Sequence, residues 1–167
     1  MNTLDKLEKE FKELQKQFKP DLSPHDMFEA GIFQDWGGYW RPIYSNIAKK
    51  TIKNDYKQFD WNLPLDKLIC KPDASKNKYK VPASLSLEEW EQYGWILPTD
   101  NISSYRGWIA WYCLYYSGER NPEIDTKQIK RWLSVKRRFG KIPNKSDKIK
   151  QLLLNWAIGC YSQMLIK

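Results

Sequence analysis

The stretch from Ser104 to Ser117 leaves little freedom to the fold. Trp108, Trp111, Tyr112, Tyr115 and Tyr116 recur at i, i+3, i+4, i+7 and i+8, one face of a helix, while Ile109, Cys113 and Leu114 make much of the other side apolar too. A helix that is apolar nearly all round belongs inside a protein, so the remaining elements must wrap around it. Gly118 is placed to end it. The chain has 167 residues, enough for one domain with a real core. Hydrophobic content is only 41%, and nine Trp, ten Tyr and six Phe supply the buried area that few aliphatics would leave missing.

The elements around this helix announce themselves mainly by their ends. Leu4, Leu7, Phe11, Leu14 and Phe18 form one helical stripe over residues 3–18, stopped by Pro20. Such a stripe docks on the core, or else binds a protein partner or a second copy. Ser23-Pro24 is a cap followed by a first-turn proline, and Gly31 suits the exit. Ser86 with Glu89 is a capping box, followed by Trp90, Tyr93 and a terminating Gly94. Asn121-Pro122 opens a helix that Gly140 closes, and Ser146-Asp147 opens a last one in which Ile149, Leu152, Leu153, Trp156 and Cys160 face inward. Residues 32–82, punctuated by Gly37-Gly38, Pro42, Pro64, Pro72 and Pro82, read as irregular, with one short strand near Tyr79–Val81. The expected architecture is all-α: residues 1–20 an amphipathic helix, residues 21–167 a single compact domain of five or six helices with an aromatic-rich irregular middle and basic C-terminal helices.

Charge is distributed unevenly. Residues 1–60 carry ten Lys/Arg and ten Asp/Glu, residues 61–120 seven of each, and residues 121–167 eleven against three, so the whole net +8 lies in the last segment. A one-signed field of this kind points to a polyanionic partner. At 100° per residue over 122–139, Lys127, Lys130, Arg131, Arg137 and Arg138 share the face opposite Ile129, Trp132, Leu133, Val135 and Phe139, with Lys136 inside the apolar arc. Lys141, Lys145 and Lys148 continue the charge into the next helix start, where backbone amides favour anions. These eight cations are the candidate nucleic-acid contacts, DNA or RNA. Trp36, Tyr39, Trp40 and Arg41, on a Gly-Gly loop, are candidate additional contacts that would stack on bases or else belong to the core.

Catalytic patterns are sparse. The single histidine, His25, sits just inside a helix start, and no metal-ligand spacing, phosphate-binding glycine loop or nucleophile elbow is present, so no metal or cofactor is expected. Asp35, Asp55, Asp60, Glu119 and Asp125 lie among aromatics, and an Asp125–Arg131 or Glu119–Arg120 arrangement flanking a pocket is the enzymatic alternative, acting on a nucleotide or nucleic acid. Three cysteines, 43 and 47 residues apart, fit a reducing, intracellular setting better than a disulfide framework. No apolar run is long enough for a membrane span. The abundance of Lys, Asn, Ile and Tyr fits an AT-rich genome, such as that of a phage or large virus.

Three segments carry a resemblance: Met27–Phe33 with Gly37–Ser45, Ser84–Ile96, and Arg106–Arg120 running into Asp125–Trp132. In order and in their tryptophans they resemble a family of small uncharacterised Trp-rich proteins from bacteria, phages, fungi and large DNA viruses, over about residues 22–160. The resemblance implies a shared fold and brings no activity with it. The chain departs at Ile109 and Ala110, where the family pattern has Phe and a polar residue, and at Glu119, where it has the first of two arginines.

Overall fold

A computed structural model describes residues 2–82 and 86–159. Cys160, expected to face inward, lies outside the described residues. Among the described residues six α-helices form, four of them at the predicted caps: α1 (Thr3–Gln17), α2 (Pro24–Glu29), α3 (Leu87–Gln92), α4 (Trp108–Tyr116), α5 (Pro122–Phe139) and α6 (Asp147–Asn155). The caps act as the sequence suggests. Ser23 Oγ accepts the Asp26 amide, Ser86 and Glu89 form a reciprocal capping box, Asn121 accepts from Ile124, and Ser146 accepts from Ile149.

The fold is mostly helical, and the strictly all-α expectation needs correction. Ile43–Ser45 (β1) and Lys50–Ile52 (β2) form an antiparallel hairpin, with Ile43 opposite Ile52 and Ser45 opposite Lys50. No strand forms at Tyr79–Val81; the Tyr79 amide instead donates to buried Gln151 of α6. The helix expected over 104–117 is also broken. Ile102–Arg106 is a 3₁₀ turn, and α4 starts only after Gly107, at φ +108°. A Cβ at Gly107 would meet the Trp90 ring at 2.7 Å, so packing against α3 leaves room for glycine alone at the break.

The core forms around α4, of which Trp108 through Leu114 are all buried. Trp108 and Trp111 lie 5.6 Å apart between ring centroids, and both face Phe18, as does Trp132 of α5. Tyr112 and Tyr115 complete the surround of the Phe18 ring. The α1 stripe therefore docks on the body: Phe11 is buried and Leu14 packs against the core, while Leu4 at the far end stays exposed. Three buried aromatic polar groups donate to main-chain carbonyls, whereas Trp40 Nε1 and Thr126 Oγ1 are buried without a hydrogen-bond partner. Trp108 Nε1 donates to the Gln128 carbonyl at 3.1 Å, Trp132 Nε1 to Trp156 O at 2.9 Å, and the Tyr112 hydroxyl to Leu22 O at 2.6 Å.

A second aromatic cluster fills the irregular middle. Phe28, Phe33, Tyr39 and Trp40 are buried there against Phe59 and Trp61. The Gly37-Gly38 pair exists for close backbone approach: a Cβ on Gly38 would lie 2.2 Å from the Leu68 carbonyl oxygen. Across this contact the Trp40 amide donates to Leu68 O, and the Cys70 amide to Gly37 O.

Candidate functional site

Helix α5 presents the basic residues, but its neighbours alter the face drawn from its own periodicity. Lys130 forms an ion pair with Glu10 of α1, which lies along α5. Lys127 pairs more loosely with Glu123 at 3.8 Å, one turn away. Arg131 is half-buried, which lowers its pKa, and Nη1 donates to the Trp95 carbonyl and to Gln128 Oε1. Arg131 thus pairs with neither Asp125 nor Glu123. Asp125, Thr126 and Gln128 share the buried arc with Ile129 and Trp132. Lys136, placed inside the apolar arc by periodicity, is exposed, with its ammonium 5.0 Å from the centroid of the Trp132 ring. Long lysine side chains escape burial in this way by running along an apolar surface.

Among the described residues, Lys136, Arg137, Arg138, Lys141, Lys145 and Lys148 form no ion pair. Lys136, Arg137 and Lys141 line one groove of about 570 Å³, closed by Gln17 at the end of α1, Leu133, Gly140 and Ile158. Lys145 and Lys148 flank the start of α6. The eight candidate contacts therefore divide into three engaged with neighbouring protein groups and five that form no ion pair among the described residues.

The loop aromatics offer less than expected. Tyr39 and Trp40 are 4% and 0% exposed, so no base could reach their faces. The Tyr39 hydroxyl bridges two segments, donating to Arg106 O at 3.1 Å and accepting from the Ala110 amide at 3.0 Å. Trp36 is half-buried and stacks on Tyr39, and Arg41 is half-buried beside them.

Asp55 is consumed by structure. With Arg106 it forms a buried ion pair, the two side chains 3% and 2% exposed. Arg106 Nε and Nη2 hold the two carboxylate oxygens at 2.8 and 2.7 Å. Nη2 also reaches Ile52 O, and Nη1 reaches Tyr39 O and Arg41 O. Every N–H of the guanidinium has an acceptor. The plane also lies over Trp40, 5.2 Å from its centroid. Sequence reading passed over Arg106, because an arginine in an aromatic segment carries no mark of burial.

The enzymatic alternative has its own cavity, of about 640 Å³, between the end of α4 and the start of α5. Trp111, Tyr105 and Tyr115 share its lining with Asp100, Glu119, Glu123 and Asp125. Asp125 is buried, and desolvation raises its pKa against the opposing effect of its hydrogen bonds. Its Oδ1 accepts from Trp111 Nε1 at 2.7 Å and its Oδ2 from the Asn121 amide at 2.8 Å. Arg120 stacks on Tyr115 at 3.7 Å and donates to the Tyr115 and Glu119 carbonyls. Asp35 is half-buried, also with a raised pKa from desolvation, and its amide is held by Asn77; Asp60 is exposed. His25 faces Asp26 and Glu29 at 3.7 and 3.4 Å, a surface group on α2.

Among the described residues no helix is long and apolar enough to cross a membrane. The chain matches no protein-family model, no curated protein and no solved structure.

Proposed function

We propose that the chain is a nucleic-acid-binding helical domain that acts through charge at the far end of α5 and the segment leading into α6, and that its role requires no catalysis. The observation that carries this reading is the groove in which Lys136, Arg137 and Lys141 converge without an acidic neighbour. Like charges brought together repel, at a cost of a few tenths of a kcal/mol per pair on a helix, and a bound polyanion removes that cost. The test replaces Arg137, Arg138 and Lys141 with Gln and follows labelled oligonucleotides by fluorescence anisotropy. Exposed substitutions change stability by less than about 0.5 kcal/mol each, so the fold should survive. Affinity should fall, and the salt slope should flatten by up to about 1 per lost phosphate contact. A folded triple variant with unchanged affinity and slope would refute the reading.

A small enzyme acting on a nucleotide is the second reading, favoured by the cavity that Asp125 and three aromatic rings line. It ranks lower because both oxygens of Asp125 already hold the α4–α5 junction together.

A further inference from the structure

The burial of Tyr39 and Trp40 moves the question of base stacking elsewhere on the molecule. Among the described residues two large aromatic side chains lie exposed and stacked on each other. Tyr93 is 60% exposed and Trp95 42%, with centroids 4.8 Å apart and planes inclined by 25°. Scattered exposed aromatics need no explanation, but an exposed stacked pair presents a continuous apolar face to water.

The backbone that carries the pair is pinned by hydrogen bonds. Helix α3 ends in a tight left-handed turn at Gly94, φ +71°, where the Trp95 amide donates to Trp90 O and the Gly94 amide to Glu91 O. Tyr93 and Trp95 flank that glycine. Behind them Trp95 meets Trp90 edge-on, Trp90 stacks on Trp156, and Trp156 contacts Trp108 of the core. The platform is thus anchored to α4 through a relay of rings.

Its setting supplies the charge. The Trp95 carbonyl accepts from Arg131, and Arg131 lies in the stripe Lys127, Arg131, Arg138 along α5, at i, i+4 and i+11. From Arg131 to Arg138 the rise is about 10 Å. Two of the three acids of α3 are occupied locally: Glu89 closes the capping box, and Glu91 accepts from the Ile47 amide and the Asn46 side chain of the hairpin turn. Glu88 remains exposed.

We propose that Tyr93 and Trp95 form a stacking platform for an unpaired base of single-stranded nucleic acid, with a neighbouring phosphate at Arg138, the member of that stripe that forms no ion pair among the described residues. This rests on the nucleic-acid reading above and narrows it. In a duplex the base faces are covered by their neighbours, whereas in a single strand every base has a face to offer. Stacking on such a platform tolerates any base, and it serves DNA and RNA alike.

The decisive comparison uses the unmodified protein. A short oligothymidylate, about twelve nucleotides, and an abasic strand of equal length carry the same phosphates. The thymidylate should bind at least about fivefold tighter, the lower end for one base on an aromatic ring. Trp95→Ser should abolish that difference and leave the salt slope unchanged, whereas the Arg137, Arg138 and Lys141 substitutions flatten the slope and keep the difference. Oligouridylate in place of thymidylate shows whether RNA is held equally. Equal binding of the thymidylate and abasic strands overturns the platform and leaves the polyanion reading standing. Binding of neither strand overturns both. A dimer in sedimentation that Trp95→Ser dissociates also overturns the platform, assigning the patch to a second copy of the chain.

Discussion

Arg106→Met is the substitution whose cost the structure fixes most tightly. The change removes five hydrogen bonds and a charge, and the shorter methionine leaves the place of the guanidinium head unfilled. Asp55 would keep the hydrogen bond that the Ser103 hydroxyl donates to it at 2.6 Å, but its countercharge would be gone while the carboxylate stays buried. Tyr39 O, Arg41 O and Ile52 O would each lose their guanidinium donor. Removing one member of a buried ion pair costs about 3–5 kcal/mol, and the three carbonyls put this case at the upper end. That is a large share of the 5–15 kcal/mol typical of a whole domain, and it corresponds to a fall in Tm of roughly 10–20 °C. Thermal and urea unfolding followed by circular dichroism would measure it. Two companions separate charge from geometry. Arg106→Lys keeps the charge, but one ammonium cannot serve acceptors on three sides, so most of the loss should remain. Adding Asp55→Leu to Arg106→Met removes the stranded carboxylate and should recover part of the loss. A cost below about 1 kcal/mol for Arg106→Met, or full rescue by lysine, would refute the reasoning, because the pair would then have to be hydrated and the hairpin held by other contacts.

Two further outcomes test other parts of the molecule. Burial raises the Asp125 pKa, so the native state holds its proton to higher pH than the unfolded chain; stability from this group is greatest at low pH and declines as pH rises from the ordinary carboxylate value near 3.8 through the folded pKa. Unfolding curves across that window should show Asp125→Asn losing this share of the slope, with the parallel share from Asp35 remaining, and an unchanged slope would refute the assignment. Glu10→Gln should alter stability by no more than about 1 kcal/mol, since the pair with Lys130 is largely exposed, yet it should raise oligonucleotide affinity by freeing Lys130; unchanged or weaker binding would show that Lys130 takes no part.

What the sequence disclosed and what it withheld divide along physical lines. Caps are local chemistry, so Ser23-Pro24, Ser86–Glu89, Asn121-Pro122 and Ser146 marked helix starts that the structure contains. The face of α4 was legible because a period of 3.6 needs no partner to be recognised. The break at Gly107 was not, since the Trp90 ring that leaves no room for a side chain there comes from another helix. The hairpin escaped because three-residue strands after Pro42 carry almost no alternation. A wheel drawn for α5 alone could not contain Glu10, which neutralises Lys130 from across an interhelical groove. Aromatics were the hardest to sort. Trp40 and Trp95 are the same residue type in loops of similar composition, yet one is sealed by Phe28, Phe59 and Trp61 and the other meets water.

The seat of Phe18 changes what kind of object the first helix is. By position it is an arm, the kind of terminal segment that frays and exchanges its amides quickly. Five rings from α4 and α5 close around Phe18, however, so α1 cannot lift away without drawing that ring out of the centre of the molecule. Opening of the terminus is thereby coupled to opening of the core, and the two behave as one cooperative unit on the timescale of native-state fluctuations. The near end of the helix, where Leu4 is exposed, is free to breathe; the far end is not.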